Sequence, residues 1–308
     1  MLTTIAVINY KGGVGKTTVV ANMAAGFARD GYKVLMIDLD PQASLTFSFM
    51  HPYDWKQKYR QTKTIKNWYD DYFNKKPRDL KNYFIKELEV NELLTQPLTL
   101  VASHTDLYEV QIELAQGLGG KFKRKQSTNK LQILSLLAEE IEKIKDEFDL
   151  VLIDCQPSFD ISTQSAIIAS DYYIIPTRLD FLSTVGVDTL DGHIKRLLHE
   201  LNSNIDRFNM NREKIKVKPL GLVSTMVEFG KTGLISANKE YDGHMKQLKD
   251  IKMFESKIRF NQTSLGGSSN IPLILGKGSS ESEKKVISDF NKLLDEMKER
   301  IDSRNVNK

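Results

Sequence analysis

The chain has 308 residues, 40% hydrophobic and 27% charged, with a formal net charge of +4. That length allows one large or two ordinary domains with a sizeable buried core, while the residue balance and a mean hydropathy of −0.37 exclude wholesale disorder and a membrane-embedded chain. Cys155 is the single cysteine, so one chain can form no disulfide, all-cysteine zinc site or self-contained iron–sulfur cluster.

The N-terminal MLTTIAVINY lacks the basic-then-apolar pattern of a signal peptide, and no stretch approaches the ~18 apolar residues of a spanning helix, so a cytoplasmic location is expected. Thr4 to Asn9 is a short β-branched run that predicts a strand. A glycine-rich turn follows, then an alanine-rich amphipathic stretch that predicts a helix ending near Arg29 to Gly31. Lys33 to Asp38 is a second apolar run that stops on a carboxylate. His51 to Phe84 is crowded with aromatics, among them Tyr53, Trp55, Trp68, Tyr69 and Tyr83, and reads as an inserted, basic helical subdomain reaching to about residue 90. Leu98 to Ala102 predicts a further strand and Leu131 to Lys145 a helix. Leu150 to Asp154 and Tyr172 to Pro176 repeat the strand pattern, Thr184 to Leu201 predicts a helix, and Leu220 to Thr225 another strand. Ser264 to Ser282, rich in serine and glycine, reads as loop. Val286, Ile287, Phe290, Leu293, Leu294, Met297 and Ile301 then mark one face of a last helix at about 283–302.

Continuous apolar runs suit strands buried on both faces, and their alternation with helices predicts one α/β domain over 1–308. Its expected core is a mostly parallel, doubly wound sheet with helices on both faces. Charge is uneven along it. Residues 51–130 and 205–260 each carry a net +5 on a chain that is otherwise −6, which permits an anionic partner.

Lys11 to Thr18, KGGVGKTT, fits the phosphate-loop pattern G-x-x-x-x-G-K-[ST] with Tyr10 in place of the first glycine. Gly12, Gly13 and Gly15 let the backbone of this segment, Val14 and Thr18 included, curl so that N–H groups point inward, and the helix from Lys16 adds its positive end. Lys16 can reach terminal phosphates and the Thr17 hydroxyl can ligate magnesium. An ordinary glycine turn is the competing reading, disfavoured by the strand before the segment and the helix after it. Asp154, at the carboxyl edge of a parallel strand, is the magnesium candidate. Asp38 and Asp40 end the second strand, and Asp40, further into its loop, is the better placed to orient an attacking water. For these carboxylates the alternative is a helix cap or a turn.

KGGVGKTT, DLDPQ and LVLIDCQPS, in this order, resemble the ParA/MinD group of deviant Walker ATPases, and within it the ParA (Soj-like) partition branch. LTLVASHTDL and SDYYIIPTRLDFLSTVGVDTL extend the likeness, and a weaker one at Met253 to Asn261 carries it to about residue 260. The resemblance implies a P-loop NTPase fold and an ATPase using ATP and Mg2+. By it, Lys11 is the signature lysine that crosses a dimer interface to the partner's nucleotide, and Lys16 and Thr17 serve phosphate and magnesium. Asp40 helps hydrolysis and Asp154 acts through a magnesium-bound water. It further implies an ATP-dependent homodimer on the nucleoid that binds DNA without sequence preference. A centromere-binding ParB-like partner stimulates it to segregate a plasmid or chromosome region. Lys11 also has a physical case: five residues before Lys16, at the mouth of the loop, its cation is better placed for another chain's nucleotide than for its own.

Candidate DNA contacts are Lys121, Lys123, Arg124 and Lys125, and Arg212, Lys214, Lys216 and Lys218, with a solvated face as the equal alternative for each patch. For the aromatic insertion, packed core or a partner-protein surface is favoured over stacking on bases. Gln156–Pro157 replaces the branch's usual Pro-Pro, and Ile258, Arg259, Phe260 and Asn261 replace its I-P-R-N near the expected adenine pocket. The alternative function is a MinD-like membrane-associated positioning ATPase anchored by the last helix. Glu296, Glu299 and Asp302 and the shortage of aromatics there favour docking onto the body, with no stable membrane association. A nitrogenase-type or tyrosine-kinase member of the fold is disfavoured by the single cysteine and by a C-terminal tail without tyrosine.

Overall fold

The apolar runs become parallel strands whose alternate residues enter two different cores. In the computed structural model, which describes residues 1–119, 122–230, 233–248, 250–261 and 271–305, β1 (Thr3–Val7), β2 (Val34–Asp38), β3 (Thr99–Val101), β4 (Leu150–Asp154), β5 (Tyr172–Thr177) and β6 (Lys218–Val227) lie in one sheet. Beyond a small antiparallel ribbon of β7 (Phe229–Gly230) and β8 (Gly233–Leu234), β9 (Met253–Arg259) completes it. The order is β3-β2-β4-β1-β5-β6-β9 and every pairing is parallel. This is the doubly wound parallel sheet that the sequence predicts. The β9 strand escaped detection because its exposed Glu255 breaks the apolar run that marks the inner strands.

Around the sheet run α1 (Lys16–Arg29), the single turn α2 (Ser44–Phe47), α3 (Pro52–Asp54, continued by a π turn to Tyr59), α4 (Ile65–Phe73), α5 (Leu107–Gly117), α6 (Lys123–Lys143), α7 (Ile161–Ile168), α8 (Phe181–Arg207), α9 (Ser236–Lys246) and α10 (Glu281–Asn305). Ile5, Val7, Val34, Met36, Leu150, Leu152 and Ile174 face α1 and α10. Their neighbours Ala6, Leu35, Ile37, Val151, Ile153 and Ile175 face the other way, onto Trp68, Val110, Leu137, Val187 and Ile194. The chain thus buries both faces of the sheet, as an all-parallel sheet requires. Two helices begin earlier than the apolar periodicity indicates. The α6 helix opens on the polar run from Lys123, and α8 opens at Phe181 because Asp180 caps it, accepting from the Ser183 N–H at 2.8 Å.

The aromatic insertion is helical but builds into both cores. Trp68, Tyr69, Tyr83 and Phe84 pack in one and Trp55, Ile85 and Leu88 in the other, while Tyr53 is exposed. Ile85 exchanges two backbone hydrogen bonds with Leu100, 2.8 and 2.9 Å, and so closes the open edge of β3. Packed core is therefore where most of these rings go. The predicted loop at 264–282 falls partly outside the described residues; beyond them Leu273–Leu275 forms a single turn and α10 begins at Glu281. The apolar face of α10 is spent on the body: Val286, Phe290, Leu293, Leu294 and Met297 are fully buried against α1 and the sheet. The small residues of α1 permit this approach. At Gly26 a Cβ would stand 2.8 Å from both Ile274 Cδ1 and Leu294 Cδ2.

No described helix is long and apolar enough to cross a membrane.

Register places the site. Val7 and Asp38 both stand level with Asp154, so the carboxyl ends of β1, β2 and β4 are flush and their loops meet at one edge. Because α10 closes one whole core, Phe290→Ala is expected to cost about 3–5 kcal/mol, read as a lowered midpoint in urea unfolding.

Candidate functional site

The loop from β1 to α1 turns through two left-handed glycines, Gly13 (φ 67°) and Gly15 (φ 80°). Gly15 also starts α1 without any side-chain cap, so the first-turn N–H groups stay available to an anion, with the helix dipole behind them. Gly12 and Gly13 are exposed, Val14 is buried, and Thr17 and Thr18 are half-buried. Lys16 is buried and spans the loop, its Nζ donating to the Lys11 carbonyl at 3.3 Å. Burial lowers its pKa, and the charges of Asp154 and Asp40 oppose that shift. The Lys16 cation thus stands in the cradle with its charge only partly answered.

Two residues frame the loop that the motif does not contain. Asn9 Nδ2 donates to the Pro176 carbonyl (2.7 Å) while Asn9 Oδ1 accepts from the Lys11 N–H (2.9 Å). Thr225 Oγ1, at the end of β6, bonds the carbonyls of Val14 (2.8 Å) and Thr177 (3.1 Å). Asn9 could have been suspected as a polar residue ending an apolar strand. Thr225 carries no sequence signal, since it sits 211 residues from Val14.

Asp154 is fully buried at the end of β4. Its Oδ2 accepts from the Thr17 hydroxyl at 2.7 Å, and its Oδ1 has no protein partner. Burial first, and then the neighbouring Asp38, push its carboxyl well above the usual range, against the opposing effects of Thr17 and Lys16. A buried oxygen without a donor, beside a threonine hydroxyl and an anion cradle, fits a divalent cation. Magnesium is commonly held by one or two carboxylates together with substrate phosphates. Among the described residues no group of three or more His, Cys, Asp or Glu could hold a metal by itself, so the phosphates would have to complete the shell.

Asp38 and Asp40 divide their work. Asp38 is buried, and Thr46 donates to its Oδ2 from N–H (2.8 Å) and hydroxyl (2.7 Å) while the Asp40 N–H donates to Oδ1 (3.1 Å). Burial nevertheless raises its pKa to about 7. Asp38 therefore holds the loop, and Asp40 projects from it. One Asp40 carboxylate oxygen accepts from the Gln42 N–H (2.9 Å), and its carbonyl accepts from Ser103 Oγ (2.6 Å). Asp40 lies close enough to act on the charges of both Lys16 and Asp154.

Lys11 is turned onto its own chain. Its Nζ meets Asp180 Oδ2 at 2.8 Å and Ser183 Oγ at 3.3 Å, at the start of α8. Burial alone would raise the Asp180 carboxyl, but the bonds from Lys11 and Ser183 hold it below the usual range. Tyr10, beside it, hydrogen-bonds through its hydroxyl with His193 Nδ1 of the same helix and packs edge-on against Phe159. In the segment after Asp154, the Gln156 amide and the Ser158 hydroxyl both bond Asp160, which caps α7. Near the expected base pocket Ile258 is buried, Arg259 is clamped on Asp289 (2.7 Å), Phe260 is exposed, and Asn261 bonds Ser282 (3.0 Å).

The basic candidates separate into two places. Lys123, Arg124 and Lys125 form the exposed first turn of α6, and Lys121 lies outside the described residues. Arg212 pairs with Glu139, sixteen residues along α6 from Lys123 and hence about 24 Å away. Lys214 pairs with Asp206 (2.9 Å), while Lys216 and Lys218 are exposed. Lys218 opens β6, so this second patch sits at the amino edge of the sheet, opposite the phosphate loop.

A family model described as an AAA domain matches residues 2–207. An uncharacterized protein of Mycobacterium tuberculosis is 32% identical over 206 residues, 66% of this chain and 55% of that protein. The sporulation initiation inhibitor protein Soj of Bacillus subtilis is 28% identical over 206 residues, 65% of this chain and 68% of Soj. The chain thus spans about half the length of the mycobacterial relative. Among solved structures, a Cyanothece McdA variant in complex with ATP superposes with TM-score 0.69 at 17% identity, over 97% of this chain and 96% of that one. A plasmid partition protein from Borrelia burgdorferi does so with TM-score 0.62 at 19% identity, over 95% and 96%. At such identities these two structures bear on the fold alone.

The buried carboxylates set a pH dependence. For Asp154 the folded pKa lies above the ordinary value of 3.8. Its contribution to stability is therefore most favourable below that value and is lost as pH rises through the folded pKa. Asp154→Asn keeps the shape without the charge. It is expected to raise the melting temperature of the nucleotide-free chain at pH 8 by roughly 2–6 °C, and by less at pH 5, in paired thermal scans.

Proposed function

This chain belongs to the AAA-domain family in its ParA/Soj-like ATPase branch, and from that premise we propose that it is a DNA-partitioning ATPase. It dimerises on ATP, binds DNA without sequence preference, and hydrolyses ATP with Mg2+ when a centromere-binding ParB-like partner stimulates it, to segregate a plasmid or chromosome region. The observation that carries the reading is the conjunction at one sheet edge of an uncapped helix start behind a glycine cradle, a buried lysine, and a buried carboxylate with an unanswered oxygen. The names of its relatives and neighbours, Soj, an ATP-bound McdA variant and a plasmid partition protein, support the same chemistry.

In this reading the loop N–H groups and Lys16 grip the phosphates. Thr17 would ligate magnesium and Asp154 would bind it through a water; bound there, the ion neutralises charge between the terminal phosphates. Asp40 orients the attacking water while Asp38 holds the loop that carries it. Lys11, given by a second chain, completes the charge around the transferred phosphoryl group, a type of contribution worth roughly 10^3 to 10^5 in rate in related reactions. Homodimerisation is supported by the first turn of α8, next to Lys11. There Phe181, Leu182 and Val185 are 63%, 70% and 51% exposed, an apolar group of the kind that marks protein contacts. For DNA, the cations of Lys123, Arg124 and Lys125 are the favoured contacts, since they are exposed and stand apart from the patch at the amino edge, opposite the phosphate loop.

Lys16→Ala is expected to weaken ATP binding at least 100-fold by calorimetry, whereas Asp40→Ala retains binding within a few-fold and accumulates as an ATP-bound dimer. Equal loss in both variants would break the assignment of roles. In gel shifts with ATP at graded salt, a dimer that neutralises about six phosphates gives a log–log slope near −5. DNA retention that ignores nucleotide would count against the switch.

A further inference from the structure

Residues 10 and 11 of the phosphate loop grip one helix at two points. Tyr10 holds α8 at its middle, through His193, in a knot of rings that also includes Phe159, with centroids 5.6 Å apart for both Tyr10–His193 and Phe159–His193. Lys11 holds the same helix at its start, thirteen residues and about 20 Å away, through Asp180 and Ser183. The two attachments differ in kind. The ring knot is an aromatic contact of three segments with a hydrogen bond inside it, whereas the ion pair is half-exposed, with side chains 36% and 37% accessible.

We propose that the Lys11–Asp180 contact is an intramolecular latch: it stows the lysine on its own chain in the resting monomer, and it must open before Lys11 can serve a second copy of this chain. The inference rests on the dimer reading given above and adds its regulation. While Nζ bonds Asp180 and Ser183 it is held on its own α8 and cannot lie against a partner's phosphates. Latch opening leaves α8 attached at the Tyr10 knot, so the exposed turn Phe181–Val185 changes its surroundings at the pivot's free end. The strength suits a switch. A half-exposed ion pair shifts an equilibrium by no more than about fivefold, so bound nucleotide in a partner can outbid it. An isologous dimer opens two latches at once, which squares the effect.

Asp180→Asn tests this cleanly, because asparagine caps a helix as well as aspartate does and only the charge is lost. Sedimentation velocity of the full chain with saturating AMPPNP and magnesium should place the D180N monomer–dimer midpoint about 3- to 20-fold lower in protein concentration than wild type. Without nucleotide, acylation of Lys11 by a succinimidyl ester, read by mass spectrometry, should run about 2- to 5-fold faster in D180N, with Lys123 unchanged as the internal reference. If wild type dimerises and D180N follows the same curve or a weaker one, Asp180 is only a cap and the latch is wrong; unchanged Lys11 acylation says the same. A wild type that stays monomeric at saturating analogue overturns the latch together with the dimer reading, and that pattern is distinct from failure of the latch alone.

Discussion

A parallel sheet delivers every carboxyl end of its strands to one edge, and this constraint organises the whole site. With Val7, Asp38 and Asp154 in register, the loops after β1, β2 and β4 have no choice but to converge. The phosphate loop brings unspent N–H groups and a cation, and the other two bring carboxylates. Three of these groups are left unsatisfied by the protein alone: the helix start lacks a cap, Lys16 reaches only a carbonyl, and one oxygen of Asp154 has no donor. The complementary partner to this arrangement is a polyphosphate with its cation.

The cost of holding such a site falls on the carboxylates. Asp38 and Asp154 sit fully buried, which raises the proton affinity of both, and the charge of Asp38 raises that of Asp154 further, a situation that folding by itself would avoid. Asp38 meets it by accepting three hydrogen bonds, two from Thr46 and one from the Asp40 N–H. Asp154 meets it only by half, with the Thr17 hydroxyl on one oxygen. The incompletely compensated group is the one placed beside the anion cradle, as expected where local rules give way to function.

Helix α8 joins this edge to the rest of the molecule. Its start is capped by Asp180, the residue that receives Lys11, and its middle is held by Tyr10 through His193. The glycine-rich loop and the helix that bears the exposed apolar turn are therefore joined at two points. By contrast α10, for which the sequence favours docking onto the body over a membrane anchor, is committed to the core through Phe290, Leu293 and Leu294. One apolar face is buried and the other is on display.

The amino-acid order alone determined whatever depends on neighbours along the chain. Apolar runs that stop on carboxylates make buried parallel strands, glycines at 13 and 15 supply the left-handed turns, and Lys16 and Thr17 follow them at the spacing that phosphate and magnesium require. Three results came only from tertiary structure. Asn9 and Thr225 brace the loop, through contacts 167 and 211 residues distant in sequence. The aromatic insertion, besides entering the core as its sequence favours, became edge cover, because β3 needed a partner that only the folded chain could provide. Lys11 found Asp180, 169 residues away. Hydrogen bonds and ion pairs between distant residues leave no periodic trace in a sequence, since their geometry exists only once the sheet has brought its ends together.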